Sequence, residues 1–173
     1  MSFLELAMRR YSVREYKPDA VEEEKLRQVL AAALLAPTAA NRQAFRLLVI
    51  HTRGREDELR KIYNQPWFVQ APLLIAIAGL PKRNWKRSDG QNYVYLDSGI
   101  VMDHLILAAA ELGLGTCWVG AFDPEAARKV LQLPPEAEPI AFTPLGYPAD
   151  QPRAKVRKTV EELVHYERWP AKA

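Results

Sequence analysis

The chain has 173 residues, of which 24 are Lys or Arg and 21 are Asp or Glu, so its formal net charge is only +3. This length fits one domain, and 49% hydrophobic residues is too high for an intrinsically disordered chain. So small a basic excess gives no support to a nucleic-acid partner. We therefore expect a single domain over residues 1–173, with a C-terminal arm over residues 150–173.

Cysteine and histidine content bears on location and on metal binding. The single cysteine, Cys117, cannot form an intrachain disulfide, and the N-terminus lacks the basic segment and apolar run of a signal peptide. The longest apolar run, Ala71–Leu80, is shorter than the about 20 residues of a membrane-spanning helix. The three histidines match no recognised metal-ligand spacing. We expect a cytoplasmic protein with neither a membrane segment nor a metal site.

Two helices are predicted before the first strand. A capping-box pattern opens a first helix over Phe3–Arg9, with Phe3, Leu6 and Ala7 on its inner face. Glutamates followed by an alanine-rich apolar run predict a second helix over Glu22–Leu35.

The remaining elements are short apolar runs and amphipathic segments. The predicted strands are Leu47–Ile50, Leu73–Ala78, Thr116–Val119 and Ile140–Leu145, the first two of them in the middle of a sheet because they are continuously apolar. The further predicted helices are Glu56–Tyr63, Leu96–Leu112, Pro124–Leu131 and Val160–Tyr166.

The long helix over Leu96–Leu112 shows little polar face, since Leu105–Ala110 is apolar nearly all round. This favours burial in a central position or between subunits, and it leaves dimerisation open. Pro81–Tyr93 is a polar, irregular stretch of the kind that often covers a binding site.

Common nucleotide-binding and nucleophile motifs are absent or misplaced. Gly113-Leu114-Gly115 follows a helix and precedes a strand, which is the reverse of a dinucleotide fingerprint, so we interpret these glycines as a helix end. The sequence contains neither the phosphate-binding loop of nucleoside triphosphatases nor a serine nucleophile elbow. Cys117 has no base beside it in the sequence and is expected to be structural.

Basic residues cluster within Arg9–Lys17, Lys82–Arg87 and Arg153–Lys158. Each cluster alone is compatible with a solvated surface, but clusters near the two chain ends can converge on one bound phosphate, which guanidinium groups bind well. The middle cluster surrounds Trp85, which leaves a nucleic-acid-binding module as an alternative function.

Five blocks in this order resemble the FMN-dependent nitroreductase family. They are Arg9–Tyr16, Ala36–Gln43, Gly113–Gly120, Pro144–Pro148 and Glu161–Trp169. The resemblance extends over nearly the whole chain. It implies an α+β fold with a mainly antiparallel central sheet flanked by helices, assembled as a homodimer.

The resemblance also implies which residues bind FMN. Those on the phosphate side are Arg10, Ser12, Lys155 and Arg157, and Tyr11 is a further cofactor-binding residue. Arg14 would lie near the N1 and O2 edge of the ring, where a cation favours the anionic reduced flavin. Asn64 would read the pyrimidine edge of the ring.

Two further groups of residues follow from the same resemblance. Pro37, Thr38 and Asn41 would reach the flavin from the partner subunit, so that the active sites lie at the dimer interface. Gly120 and Ala121 would bring backbone N–H groups near N5 and O4 of the flavin, because glycine permits a close approach.

The implied activity is an NAD(P)H-dependent oxidoreductase. Hydride would pass from NADH or NADPH to FMN and then to a small acceptor, such as a nitroaromatic or a quinone, by ping-pong kinetics. Gly120 stands where well-known members have glutamate, and the chain is shorter than most members, so Pro81–Tyr93 is expected to form a reduced lid. A flavin carrier or sensor without steady turnover remains a second alternative.

Overall fold

The computed structural model describes residues 1–169. Its strands within this range are β1 (Phe45–His51), β2 (Leu73–Gly79), β3 (Gly115–Thr116) and β4 (Glu138–Gly146). They form one sheet in the order β1-β2-β4-β3, and every neighbouring pair is antiparallel. The predicted α+β class with a mainly antiparallel central sheet is confirmed.

Helices cover both faces of this sheet. They are α1 (Phe3–Arg9), α2 (Glu23–Leu34), α3 (Glu56–Arg60), α4 (Pro66–Gln70), α5 (Val94–Glu111), α6 (Pro124–Val130) and α7 (Val160–Leu163). Side chains of β2 alternate between the two faces, as the pleat requires. Leu73, Ile75 and Ile77 pack with α2 and α5, whereas Leu74 and Ala76 pack with α3, α4 and α6.

Several predicted helices have the expected bounds and caps. The Ser2 capping box opens α1, and the Asp123 carboxylate accepts from the first backbone N–H groups of α6. The predicted helices over Glu22–Leu35 and Leu96–Leu112 correspond to α2 and α5. The prediction for Phe3 is wrong, because its side chain is 72% exposed and only Leu6 and Ala7 of the three are partly buried.

The prediction that Leu47–Ile50 lies in the middle of the sheet is wrong. β1 is an edge strand that pairs with β2 alone, and Val49 is 37% exposed. Its apolar run resembles that of a central strand, although one edge of its backbone has no partner strand within residues 1–169. The prediction for β2 is right, because every residue of that strand is buried.

The strand predicted over Thr116–Val119 is shorter in the structure. Regular pairing ends at Thr116, and Val119 forms only an isolated bridge to Phe142. Between them, the N–H of Cys117 donates to the side-chain hydroxyl of Thr143 at 3.1 Å. A side-chain oxygen thus replaces the backbone partner and interrupts the ladder.

Two other predicted helices are too long. The helix predicted over Glu56–Tyr63 ends at Arg60, and sequence analysis missed α4, which has Pro66 in its first turn. The helix predicted over Val160–Tyr166 forms a single capped turn. An exposed helix of one turn has no packing surface to extend it.

The C-terminal arm from residue 151 to residue 169 is exposed at every position. It includes large apolar side chains, among them Val156, Leu163, Tyr166 and Trp169, which are between 63% and 86% exposed. The last part of the predicted arm, residues 170–173, lies outside the described residues.

Candidate functional site

The segment that follows α1 runs along β3. The backbone N–H of Val13 donates to the carbonyl of Thr116 at 2.9 Å, and the Val13 side chain is buried. Gly115 permits this approach, because a Cβ atom there would lie 2.7 Å from Cγ2 of Val13. Since side chains alternate along an extended segment, Ser12 and Arg14 lie on the side opposite to Val13.

A cavity of about 430 Å³ lies between this segment and the C-terminal arm. We call it the cationic cavity. The predicted site residues that line it are Arg10, Tyr11, Ser12, Arg14, Lys155 and Arg157. The structure therefore brings together, at one place, predicted site residues from both ends of the chain.

Positive charges in the cationic cavity lie close to one another. Within residues 1–169, no ion pair involves Arg10, Arg14, Lys155 or Arg157. Partial desolvation of the exposed Lys155 lowers its pKa, and the charges of Arg10 and Arg157 lower it further. A bound anion would offset this repulsion.

Asp150 also lines the cationic cavity, and sequence analysis missed it. Its carboxylate accepts hydrogen bonds from the Tyr11 hydroxyl at 3.0 Å and from the backbone N–H of Arg14 at 2.8 Å. Burial, the hydrogen bond to Asp150 and its charge raise the pKa of Tyr11 to about 12. The carboxylate thus orients two neighbours. The sequence feature that could have indicated Asp150 is its position two residues after the Pro144–Pro148 block.

Arg14 and Asn64 lie near α4. The guanidinium carbon of Arg14 lies 5.9 Å from the ring centre of Trp67. Asn64 is exposed in the turn between α3 and α4. The backbone N–H of Asp123 donates to the carbonyl of Ile62 at 2.8 Å, which ties this turn to the loop that contains Ala121.

Gly120 and Ala121 are exposed after the bridge at Val119. A Cβ atom on Gly120 would have one heavy atom of the described chain within 4 Å, which is Nε1 of Trp118 at 3.8 Å. The backbone here is open to a ligand.

Pro37, Thr38 and Asn41 lie in a different part of the chain from the cationic cavity. They precede β1, which is at the opposite edge of the sheet from β3. Ala40 and Asn41 have φ values of 49° and 52°, a left-handed conformation that is strained for residues other than glycine. Within one chain, the structure does not bring this turn to the residues of the cationic cavity.

Several contacts form within the segment Pro81–Tyr93. Trp85 packs edge-on against Tyr93 with ring centres 4.8 Å apart, and the guanidinium of Arg87 donates to Asp89. A paired arginine and a packed tryptophan do not favour the alternative of a nucleic-acid surface here.

No helix between residues 1 and 169 is long and apolar enough to span a membrane. In the same range, no three His, Cys, Asp or Glu side chains are grouped so that they could hold a metal ion.

Comparisons with known proteins identify the family. The sequence model of the Nitroreductase family matches residues 7–65 and 56–147, and the chain belongs to this family. The chain is 30% identical to an NADH dehydrogenase of Thermus thermophilus, over 91% of this chain and 92% of the relative. It is 29% identical to an FMN reductase [NAD(P)H] of Bacillus subtilis, over 91% of this chain and 70% of the relative.

A solved structure shares the fold closely. The crystal structure of a nitroreductase family protein from Clostridium difficile 630 matches with a TM-score of 0.91 and 40% sequence identity. The match covers 98% of this chain and 100% of the other. The resemblance that the sequence blocks indicated is therefore confirmed.

Proposed function

We propose that this protein is an FMN-dependent oxidoreductase that uses NADH or NADPH to reduce a small acceptor, such as a nitroaromatic or a quinone. The observation that carries the proposal is the cationic cavity, in which cations from both chain ends surround a space large enough for a phosphate group. Arg10, Arg14, Lys155 and Arg157 form no ion pair within residues 1–169. Relatives named FMN reductase and NAD(P)H nitroreductase support the same chemistry.

The donor groups present fit FMN. A phosphate dianion needs several N–H or O–H donors, and Arg10, Ser12, Lys155 and Arg157 supply them around one cavity. Asp150 is the one carboxylate among the lining residues, and the five cations that line the same cavity outnumber it: Arg10, Arg14, Arg153, Lys155 and Arg157. The open backbone at Gly120 leaves room for a flat ring.

The chain's own residues would bind and orient the reactants. Arg10, Ser12, Lys155 and Arg157 would hold the phosphate, and Arg14 would place a fixed positive charge near the ring edge. When bound there, FMN would supply two-electron chemistry between the nicotinamide and the acceptor. Gly120 and Ala121 would offer backbone N–H donors, and Asn64 an amide, to the ring edges. No side chain is required as a catalytic acid.

We further propose that the active protein is a homodimer with two sites at its interface. Members of this family are typically dimeric. The exposed apolar side chains between residues 156 and 169, and the edge of β1 that is unpaired among the described residues, are surfaces that a second copy would cover. The turn that contains Pro37, Thr38 and Asn41 would then reach the flavin of the partner subunit.

The visible spectrum of the purified protein tests the flavin proposal. We expect the protein to show flavin absorption as purified, or after FMN is added and the excess is removed. Under anaerobic conditions, NADH or NADPH should bleach the flavin absorption bands. Steady oxidation of the nucleotide with a quinone or a nitroaromatic would separate an oxidoreductase from a flavin carrier or sensor. A protein that takes up no FMN would overturn the proposal.

A further inference from the structure

Asp97 is a buried carboxylate outside the cationic cavity. It lies in the first turn of α5 and is only 5% exposed. No ion pair involves it within the described residues. The positive end of the α5 dipole and hydrogen-bond donors must therefore stabilise its charge.

Both carboxylate oxygens of Asp97 are used, and each contacts a different segment. Oδ1 accepts from the backbone N–H of Ala39 at 3.0 Å, and Oδ2 accepts from Nδ2 of Asn84 at 3.0 Å. Ala39 belongs to the turn that precedes β1, and Asn84 belongs to the segment Pro81–Tyr93. One side chain thus joins two segments that are distant in sequence.

The turn needs an external anchor. Ala40, Asn41 and Gln43 all have left-handed φ values between 48° and 52°. Such conformations cost about 1 kcal/mol or more each and persist only where the surroundings impose them. Among the hydrogen bonds of residues 1–169, Asp97 is the one side chain outside residues 37–43 that bonds to this turn.

The orientation of Asn84 indicates that it serves Asp97. Its Oδ1 is buried and has no hydrogen-bond partner among the described residues, whereas its Nδ2 donates to the carboxylate. Turning the amide over would place Oδ1 against the negative charge. Asn84 therefore leaves one acceptor unsatisfied to keep the bond to Asp97.

We propose that Asp97 is a positioning residue that fixes the flavin-facing turn Pro37–Asn41 and joins it to Pro81–Tyr93, so that the two segments form one wall of the partner's site. This inference rests on the proposed dimeric flavin site. Asp97 touches neither reactant, and it acts through the Ala39 backbone and Asn84.

The test compares Asp97→Ala, Asp97→Asn and Asn84→Ala with Asp57→Ala, which removes an aspartate whose side chain is fully exposed. Asp97→Ala should weaken FMN binding about 10-fold to 100-fold, as expected for the loss of a hydrogen bond to a charged group. Asp97→Asn should restore most of the affinity, because its oxygen still accepts from Ala39 and its NH₂ can donate to the free Oδ1 of a turned Asn84. Asp57→Ala should bind FMN like the original protein.

Amide hydrogen exchange without FMN provides an independent readout. Asp97→Ala should speed exchange in residues 38–43 and in residues 81–93, and Asp97→Asn should reverse this. Asn84→Ala keeps the bond to Ala39, so exchange should rise in residues 81–93 alone. If Asp97→Ala does not fold, the Asn84→Ala variant still tests the hydrogen bond between Asp97 and Asn84.

The outcomes separate the two proposals. If the original protein binds FMN and Asp97→Ala binds it equally well, the positioning role is wrong and the proposed function stands. If the original protein binds no FMN, the proposed function fails and the role in a flavin site fails with it. Exchange at residues 38–43 then decides whether Asp97 anchors the turn at all. Unchanged exchange in Asp97→Ala overturns the anchoring in either case.

Discussion

Asp150 holds two residues of the cationic cavity in place. It is acidic among basic neighbours, yet its oxygens are committed to the Tyr11 hydroxyl and to the backbone of Arg14. The carboxylate therefore serves to hold these two residues in place while the guanidinium groups remain available to an anion.

The titration of Tyr11 tests this arrangement. The pKa of Tyr11 is raised from 10.0 to about 12. The protonated Tyr11 hydroxyl therefore stabilises the folded state fully below pH 10, and this contribution to the free energy of unfolding is lost as the pH rises through 12. Asp150→Asn should lower the pKa of Tyr11, although burial will keep it above 10. Phenolate absorbance against pH measures the shift. Glu138→Gln is the control, because it should lower the pKa of Tyr95, which the hydrogen bond to Glu138 raises, and leave Tyr11 unchanged.

Arg14→Ala should lower the two-electron midpoint potential of bound FMN. A hydrogen bond to a charged group contributes about 1.5–3 kcal/mol, which corresponds to roughly 30–60 mV for a two-electron couple. Equilibration with redox dyes measures the potential, and reduction by NADH or NADPH should slow in parallel. Arg53→Ala removes an exposed arginine and should change neither quantity. If Arg14→Ala and Arg53→Ala have the same midpoint potential of bound FMN, the proposed position of Arg14 near the ring edge is wrong.

At the scale of the elements, two glycines near the site have different roles. A methyl group on Gly115 would collide with Val13, whereas one on Gly120 would make only an ordinary contact, 3.8 Å from Nε1 of Trp118. Gly115→Ala should therefore lower the free energy of unfolding by about 1–3 kcal/mol, as overpacking in a core does. Gly120→Ala should leave stability within about 0.5 kcal/mol, as is usual for a substitution away from packed sites.

Denaturant unfolding measures both effects, and FMN titration completes the comparison. If Gly120→Ala weakens FMN binding without a loss of stability, the glycine serves the ligand. Unchanged FMN affinity in Gly120→Ala would contradict a close approach of the flavin to this backbone.

The sequence predicted most accurately those elements that begin with capping residues or are apolar throughout. Capping residues located α1 and α6, and the wholly apolar run located β2. The length of β3 and the position of β1 depend on partners that are remote in sequence, such as the Thr143 hydroxyl that bonds to Cys117. Local patterns contain no information about these partners.

At the scale of the whole molecule, the proposed dimer makes a testable prediction about the C-terminal arm. Leu163→Asp or Tyr166→Asp should dissociate the dimer, because each would place a charge in an apolar interface. Within one chain both side chains are largely exposed, so the same changes should cost a monomer no more than about 0.5 kcal/mol.

Sedimentation measures the assembly of these variants, and FMN titration should show weaker binding where the dimer is lost. Ala20→Asp adds the same charge at another exposed position and should leave the dimer intact. Arm variants that sediment like the Ala20→Asp control would contradict the interface.

The sequence by itself determined the family, the class of fold and six of the residues that line the cationic cavity, because blocks, caps and apolar runs are local features of the chain. The tertiary structure decided how the parts meet. It placed Asp150 among the cations, separated the Pro37–Asn41 turn from the cavity within one chain, and brought Asp97 between Ala39 and Asn84. These contacts join residues that are far apart in sequence, and only the folded chain brings them within hydrogen-bonding distance.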